Sequence, residues 1–147
     1  MSMIKLSKTN KQHIDPLVYL LFNEKREYLK FFTAFKDESN FIKEIQSKKN
    51  IFYSIFIQRK ISGFVMLRGI DFPQIRFGIY LESNMSEKGY SKKIISNFLD
   101  IAKKNYKINE IYLKVNKNNY KGLSLYKSIG FEIKEVEGNS YIMCINL

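Results

Sequence analysis

The sequence has few of the residues that build disulfides and metal centres. Its 147 residues include one cysteine, Cys144, and one histidine, His13. A single cysteine excludes an internal disulfide, and a lone histidine argues against a Ser-His-Asp triad or a His-ligated metal site. No stretch approaches the roughly 18 apolar residues of a membrane span, and residues 1–11 lack the apolar run of a signal peptide. We therefore expect a cytoplasmic protein with no metal and no membrane partner.

Proline and glycine are also scarce, with 2 and 7 residues respectively. This scarcity excludes the collagen-like, linker-rich and disordered classes. Hydrophobic residues make up 45% of the chain and aromatic residues 15%, which is ample material for one packed core. Because no internal repeat or linker interrupts the pattern, we predict a single domain over residues 1–147. The aromatic content exceeds what a core of this size needs, which is compatible with a homodimer interface.

Acidic residues are outnumbered, 14 against 25 basic ones, and the formal net charge is +11. Lysine supplies 21 of the basic residues and arginine only 4. Proteins that recognise nucleic acids favour arginine for bidentate contacts to phosphate and guanine. We therefore expect no nucleic-acid partner, and the positive charge suits an anionic small molecule at least as well.

Hydrophobic periodicity predicts the element order β-α-α-β-β-β-α-β-α-β-β. The first helix is predicted to start at Asp15-Pro16, because aspartate caps free amides and proline at the first helical position loses no hydrogen bond. His13 would then lie on the surface just before that helix. Cys144 would be a small buried hydrophobic residue on the last strand. A mixed sheet with helices on both faces would bury the apolar stripes of these elements.

A short polar loop follows the strand that ends at Leu81, and a helix is predicted to begin near Gly89. Free amides at a helix N-terminus, together with the helix dipole, form a site for phosphate. Gly89 and the small Ser91 would let the backbone approach a pyrophosphate closely, and Lys88 and Lys92 add positive charge. By spacing alone, such a segment is more often an ordinary strand-to-helix turn than a phosphate site.

Residues 115–131 resemble the GNAT N-acetyltransferase superfamily, whose penultimate helix and following strand carry the pattern Asn-x-x-Ala-x-x-Leu-Tyr-x-x-x-Gly-Phe. The residues at these positions are Asn119, Gly122, Leu125, Tyr126, Gly130 and Phe131. Gly122 replaces the alanine of the pattern. The segment 86–91 lies where the family has its acetyl-CoA loop, Gln/Arg-x-x-Gly-x-Gly/Ala, with Ser86 at the first position and Ser91 at the last.

The resemblance implies an α/β (α+β) fold, a single-domain GNAT-like sheet that is mixed and mostly antiparallel, with splayed central strands and helices on both faces. It implies acetyl-CoA as cosubstrate, with the pantetheine arm in the gap between the strand ending at Leu81 and the strand 111–115. Backbone amides near Leu81 would polarise the thioester carbonyl. The implied cofactor-binding residues are Tyr80, Leu81, Ser86, Glu87, Lys88, Gly89, Tyr90, Ser91, Lys92 and Asn119.

The resemblance also implies catalysis by direct attack in a ternary complex, with Tyr126 as the general acid for the departing thiolate. A phenol with an ordinary pKa of about 10 can give a thiolate its proton. Glu82 is the first candidate for the base that accepts a proton from the amine, and Asp71, Glu24 and Glu27 are weaker candidates. Without the motif, Tyr126 would be a core residue, Asn119 a helix N-cap and Glu82 a solvated carboxylate.

A narrower resemblance is to acetyltransferases of amino sugars on nucleotide carriers. It rests on the run Met66-Leu67-Arg68-Gly69-Ile70-Asp71 and on the aromatic segment 31–35. The substrate would be a nucleotide-linked amino sugar for surface glycan assembly, such as lipopolysaccharide or capsule. The implied substrate-binding residues are Phe32, Arg68, Asp71 and Arg76. Arg68 and Asp71 could instead pair with each other to fix a turn.

Two alternatives to this function remain open from the sequence. One keeps the acetyl transfer but makes the acceptor a protein N-terminus, a polyamine or another small amine. The other is a module that binds CoA or nucleic acid without catalysis. Turnover with a panel of amines separates them, since only an enzyme releases CoA thiol in the presence of an acceptor.

Overall fold

The computed structural model describes residues 3–147, and within them the chain forms seven strands and five helices. The strands are β1 (Ile4–Lys8), β2 (Asn50–Ile57), β3 (Lys60–Arg68), β4 (Arg76–Leu81), β5 (Glu110–Asn116), β6 (Glu132–Glu137) and β7 (Ser140–Asn146). The helices are α1 (Lys11–Phe22), α2 (Glu38–Gln46), α3 (Ser83–Ser86), α4 (Ser91–Tyr106) and α5 (Tyr120–Ile129). The predicted order is confirmed apart from the short α3.

The strands form one sheet in the order β1-β2-β3-β4-β5-β7-β6. Every neighbouring pair is antiparallel except β4 and β5, which are parallel. Since side chains alternate across a strand, the sheet has two cores. One core lies under α1 and α2 and is rich in phenylalanine. The other lies under α4 and α5. The α/β class and the mixed, mostly antiparallel sheet with helices on both faces are confirmed.

Helix α1 begins at Lys11, so the predicted start at Asp15-Pro16 is wrong. The Asn10 side chain caps the helix by accepting a hydrogen bond from the Gln12 N–H at 2.9 Å. Pro16 lies inside the helix, where its fixed φ is compatible with the α conformation and one backbone hydrogen bond is lost. The capping bond and the packing of α1 on the sheet offset that loss.

The segment after β4 also differs from the prediction. It contains the single-turn helix α3, and α4 begins at Ser91 rather than near Gly89. Gly89 has φ +78°, and no heavy atom lies within 4 Å of the position its Cβ would take. Glycine is therefore favoured here by its backbone conformation, which brings the chain from α3 into α4.

His13 lies within α1, so its predicted position on the surface before the helix is wrong. Its ring is partly buried, with Nδ1 2.9 Å from the hydroxyl of the fully buried Ser54. That hydroxyl is in turn 2.8 Å from the Thr9 hydroxyl, and the His13 ring packs edge-on against Phe56. The prediction for Cys144 is confirmed, because its side chain is buried on β7.

This environment makes His13 a source of pH-dependent stability. Burial lowers the pKa of His13 below its ordinary value, which the unfolded chain retains at about 6.5. Between those two pKa values the unfolded chain binds more protons, so stability decreases as the pH falls below about 6.5. We expect the wild type to lose on the order of 2 °C more in Tm than His13→Gln between pH 7.5 and 5.5, by circular dichroism. An equal decrease in Tm in the two proteins would show that protonation of His13 does not affect stability.

Candidate active site

Strands β4 and β5 pair at only one position and then separate. The paired residues are Arg76 and Tyr112, where the Tyr112 N–H donates to the Ile75 carbonyl at 2.8 Å. Beyond this point the sheet has a gap on the β5 side of β4, from Phe77 to Leu81. The splayed central strands predicted from the sequence are therefore present.

The register of β3 against β4 determines which backbone groups face this gap. The Glu82 N–H donates to the Ser62 carbonyl at 2.8 Å, which makes these two residues a hydrogen-bonded pair. Because such pairs alternate along an antiparallel ladder, the N–H and C=O groups of Tyr80 point toward β3. Those of Ile79 and Leu81 point into the gap, where no strand pairs with them.

Because of this alternation, only one of the two predicted β4 contacts to the cofactor, Leu81 and Tyr80, has its backbone facing the gap. Leu81 offers a free amide to the gap, as predicted. Tyr80 does not, because its backbone belongs to the β3–β4 ladder and its buried side chain faces the core under α1. Ile79 is a gap-facing residue that sequence reasoning missed. The period-two pattern of β4 could have indicated it, since Ile79 and Leu81 share one face.

The loop that follows β4 leads to an uncapped helix end. The N-cap residue of the 16-residue α4 makes no side-chain capping hydrogen bond, so the first amides of the helix and its dipole face the loop. Lys88 and Lys92 are exposed beside it, and Glu87 places a negative charge in the same loop. The structure also places three other residues of the predicted acetyl-CoA loop. Ser86 donates its hydroxyl to the Ser83 carbonyl at 3.1 Å, Ser91 is the first residue of α4, and Tyr90 packs against the core under α4.

Tyr126 stands beside the paired end of the gap. Its ring makes edge contacts with Phe77 and Phe131, with centroid distances of 6.3 Å and 5.9 Å. Burial raises the pKa of Tyr126 to about 12, so the phenol stays protonated at neutral pH. No group within residues 3–147 is seen to accept a hydrogen bond from its hydroxyl. Phe77 is the second residue of β4 and precedes Ile79 by two residues, about 7 Å along the strand, so Tyr126 contacts β4 near its paired start.

Asn119 is the N-cap of α5, which confirms the structural role considered for it from the sequence. Its Oδ1 accepts a hydrogen bond from the Gly122 N–H at 3.0 Å. A Cβ on Gly122 would lie 2.7 Å from the Asn119 Nδ2. The Asn119 carboxamide would therefore have to shift slightly to admit the methyl group of an alanine at this position.

Glu82 follows β4 directly and is 6% exposed. Its backbone carbonyl accepts hydrogen bonds from the amides of Met85 and Ser86, so it starts the turn that forms α3. Its carboxylate acts electrostatically on the hydroxyl groups of Tyr28 and Tyr80. Glu82 is therefore a buried acid at the open end of the gap, rather than a solvated one.

Glu24 accepts hydrogen bonds at the same end of β4. Its carboxylate lies 2.9 Å from the Tyr80 hydroxyl, 2.7 Å from the Ser83 N–H and 2.9 Å from the Ser83 hydroxyl. Burial raises the pKa of Glu24, but hydrogen bonds from Ser83, the Lys25 amide and Tyr80 outweigh it and hold the pKa below its ordinary value. The Glu24 carboxylate is thus stabilised in its ionised form by several hydrogen bonds, which makes it a poor proton acceptor.

The other two candidate bases lie on the surface. The Glu27 carboxylate is 3.1 Å from the Lys30 ammonium, and its side chain is 86% exposed. The Asp71 carboxylate lies 3.9 Å from the Lys49 ammonium. The structure does not bring either residue to the gap.

The predicted substrate-binding residues lie in two places. Phe32 packs against Tyr80 in the core under α1, with ring centroids 6.0 Å apart. Arg68 and Arg76 line a cavity of about 350 Å³ near the start of β4. Asp71 does not pair with Arg68, so that predicted turn contact is wrong. The Arg68 guanidinium instead donates to the Ala34 carbonyl at 3.2 Å and lies 3.4 Å from the Glu44 carboxylate.

Residues 3–147 contain no group of three or more His, Cys, Asp or Glu side chains placed to hold a metal ion. Among the helices of the same residues, none has the length and apolar character needed to cross a membrane.

Residues 6–142 match the acetyltransferase (GNAT) domain family. Acetyltransferase PseH of Campylobacter jejuni is 26% identical over 112 residues, which cover 76% of this chain and 70% of that protein. Its structure in complex with acetyl coenzyme A superposes with a TM-score of 0.73 at 21% identity, covering 98% of this chain and 99% of that one.

Two other solved structures share the fold. Spermidine N-acetyltransferase of Vibrio cholerae, in complex with CoA and spermine, has a TM-score of 0.80 at 19% identity and covers 97% of this chain and 95% of that one. A domain from Methanocaldococcus jannaschii has a TM-score of 0.82 at 19% identity over the whole of both chains. The family match and the geometry of the gap agree: the chain belongs to the GNAT family and is an acetyl-CoA-dependent N-acetyltransferase.

Proposed function

We propose that this enzyme acetylates the primary amine of a nucleotide-linked amino sugar of the dideoxy-amino-hexose type, for use in a surface glycan. The cavity at the start of β4 carries the proposal, because the three basic residues that line it, Lys49, Arg68 and Arg76, outnumber its one carboxylate, that of Glu44. It lies five residues from Leu81, about 17 Å along the strand. An extended acceptor could span this distance, with its amine near the gap and its phosphates in the positively charged cavity.

The gap supports acetyl-CoA binding on two observations: unpaired amides on β4 and an uncapped N-terminus on α4. When bound, acetyl-CoA supplies the acetyl group and a thiolate leaving group. The N–H groups of Ile79 and Leu81 would donate hydrogen bonds along the pantetheine arm and stabilise negative charge on the thioester oxygen. The first amides of α4, with Lys88 and Lys92, would hold the pyrophosphate.

Two side chains would carry out the proton transfers of the reaction. Glu82 would accept a proton from the acceptor ammonium, because only the neutral amine attacks a carbonyl. Tyr126 would donate its phenolic proton to the departing sulfur. Asn119 would use its free Nδ2 toward the pantetheine while its Oδ1 caps α5. No covalent intermediate on the enzyme is needed when the amine attacks directly.

A polyamine is the second candidate acceptor. The carboxylates of Glu24, Glu82 and Glu87 all act electrostatically on the Tyr28 hydroxyl, so the open end of β4 is locally acidic in a basic protein. An acidic site attracts a flexible polycation. The structural similarity to a spermidine N-acetyltransferase supports testing this alternative.

Steady-state kinetics with both acceptors tests the proposal. We expect turnover with a nucleotide-linked amino sugar. Arg76→Gln should raise its KM about tenfold, by loss of a charge-assisted contact, with kcat unchanged. Arg59→Gln, in the exposed β2–β3 turn, is the control. Preference for spermidine, with no effect of Arg76→Gln, would contradict the sugar acceptor and favour the polyamine.

Glu82→Gln tests the base. We expect kcat to fall on the order of tenfold and the acid limb of the pH profile of kcat to disappear, because glutamine cannot accept the proton. A Glu82→Gln enzyme that keeps the wild-type acid limb would show that another group or a water chain removes the proton.

A further inference from the structure

The loop between α1 and α2 is tied to the end of β4 by residues far away in sequence. Glu24 accepts hydrogen bonds from the Tyr80 hydroxyl and from both the amide and the hydroxyl of Ser83. Four residues later, the Tyr28 hydroxyl donates to the Leu81 carbonyl at 2.5 Å. These four bonds bridge separations of 53 to 59 residues and converge on the segment 80–83.

This segment needs such a brace because β5 has already diverged from it. The Leu81 N–H and C=O face the gap, and the sheet supports them from the β3 side alone. Tyr28 donates to the carbonyl of Leu81, the residue whose amide faces the gap. Glu24 fixes Ser83, the residue after Glu82 and the first residue of α3. The two side chains therefore restrain the backbone on both sides of Glu82, at Leu81 and at Ser83.

The chemistry at Glu24 requires an anion. Its donors converge on two carboxylate oxygens, and its pKa is held below the ordinary value. Glutamine has one acceptor oxygen and an NH2 group that would face a donor, so Glu24→Gln keeps the volume but loses part of this bonding. Tyr28→Phe removes one hydroxyl from a side chain that is 37% exposed.

We propose that Glu24 and Tyr28 are positioning residues for acyl transfer: from the loop between α1 and α2 they hold the Leu81 amide and Glu82 in place. The proposal rests on the acetyl-CoA site described above but not on the identity of the acceptor. It gives this loop a role in the transfer step in addition to covering the core under α1.

Glu24→Gln and Tyr28→Phe, with Glu27→Gln and Tyr19→Phe as exposed matched controls, test the proposal. With whichever amine is turned over fastest, we expect kcat to fall about tenfold in each variant, since small misplacements of reacting groups are costly. The Kd for CoA, by calorimetry, should change less than twofold. The midpoint of the acid limb should stay at its wild-type pH. The double variant should lose less than the product of the single losses, because both residues brace one segment.

Either of two kinetic results would overturn the proposal. A kcat equal to that of the controls would show that the bonds have no part in the transfer. A shifted acid limb in Glu24→Gln would make Glu24 the base rather than a positioning residue. If Glu24→Gln does not fold, Ser83→Ala removes one of the donors and is subject to the same criteria.

Amide hydrogen exchange gives a readout that needs no acceptor. With CoA bound, we expect the amides of residues 82–85 to exchange about tenfold faster in Glu24→Gln than in Glu27→Gln, because the brace is loosened. Equal exchange in the two variants would overturn the proposal even if the enzyme acetylates a nucleotide sugar. Failure of the sugar acceptor alone would leave this exchange difference intact, so the two failures are distinguishable.

Discussion

Tyr126→Phe is expected to lower kcat about a hundredfold at saturating acetyl-CoA and acceptor, the low end of what a general acid contributes. The ring packs between Phe77 and Phe131, and phenylalanine preserves those contacts. Only the proton donor is lost. The free energy of unfolding should change by less than about 0.5 kcal/mol, since the hydroxyl has no observed protein partner to lose within residues 3–147.

Tyr120→Phe is the matched control for this prediction. Tyr120 begins the same helix, and its side chain is 73% exposed. It should keep wild-type kcat, measured by release of CoA thiol. The pKa of Tyr126, raised to about 12, also predicts that no basic limb from this residue appears below about pH 10. Wild-type kcat in Tyr126→Phe would rule out its role as the acid.

Gly63→Ala is expected to destabilise the protein by about 3 kcal/mol or more. A Cβ at this position would lie 2.0 Å from the Tyr80 carbonyl oxygen and 2.9 Å from the Leu81 Cα. Both neighbours are backbone atoms in the β3–β4 pair, so β4 itself would have to move. Because the displaced residues border the gap, we expect the folded fraction also to bind CoA more weakly.

Gly138→Ala separates this clash from the general cost of replacing a glycine. Gly138 has φ +59°, and no heavy atom lies within 4 Å of the position its Cβ would take. Its replacement should cost only about 1 kcal/mol, from the left-handed backbone. Urea unfolding of both variants measures the difference. A Gly63→Ala protein as stable as Gly138→Ala would contradict the close packing of β3 on β4.

The strand pattern and the motif were sufficient to predict β4 and the position of Tyr126, and the family resemblance implied the gap between β4 and β5. Residues 75–81 alternate with period two, which defines β4 as a strand with one face on a core. The motif at residues 119–131 places Tyr126 on α5 next to the gap. The same alternation groups Ile79 with Leu81 and separates both from Tyr80, but only the register of β4 against β3 decides which of the two sets faces the gap.

Most of the features that the sequence did not predict depend on contacts between distant residues, and one depends on a competing local signal, the Asn10 cap. Asp15-Pro16 has the local chemistry of a helix start, yet Asn10 provides the cap and packing on the sheet accommodates the proline inside α1. Arg68 and Asp71 are close in sequence, but Arg68 bonds to the Ala34 carbonyl and Glu44 on the neighbouring layer. Glu24 accepts hydrogen bonds from three donor groups on Tyr80 and Ser83, which lie 56 and 59 residues further along the chain, so its sequence neighbours could not reveal this role.

The amides of Ile79 and Leu81 face the gap, and we propose that they bind the pantetheine arm. Amide hydrogen exchange, measured by NMR with and without CoA, tests it most directly. In the free protein we expect both amides to exchange faster than that of Tyr80, which is paired with β3. CoA should slow exchange at Ile79 and Leu81 about tenfold or more and leave Tyr80 unchanged. Unchanged exchange at both gap-facing amides, under conditions where calorimetry shows CoA bound, would contradict the claim.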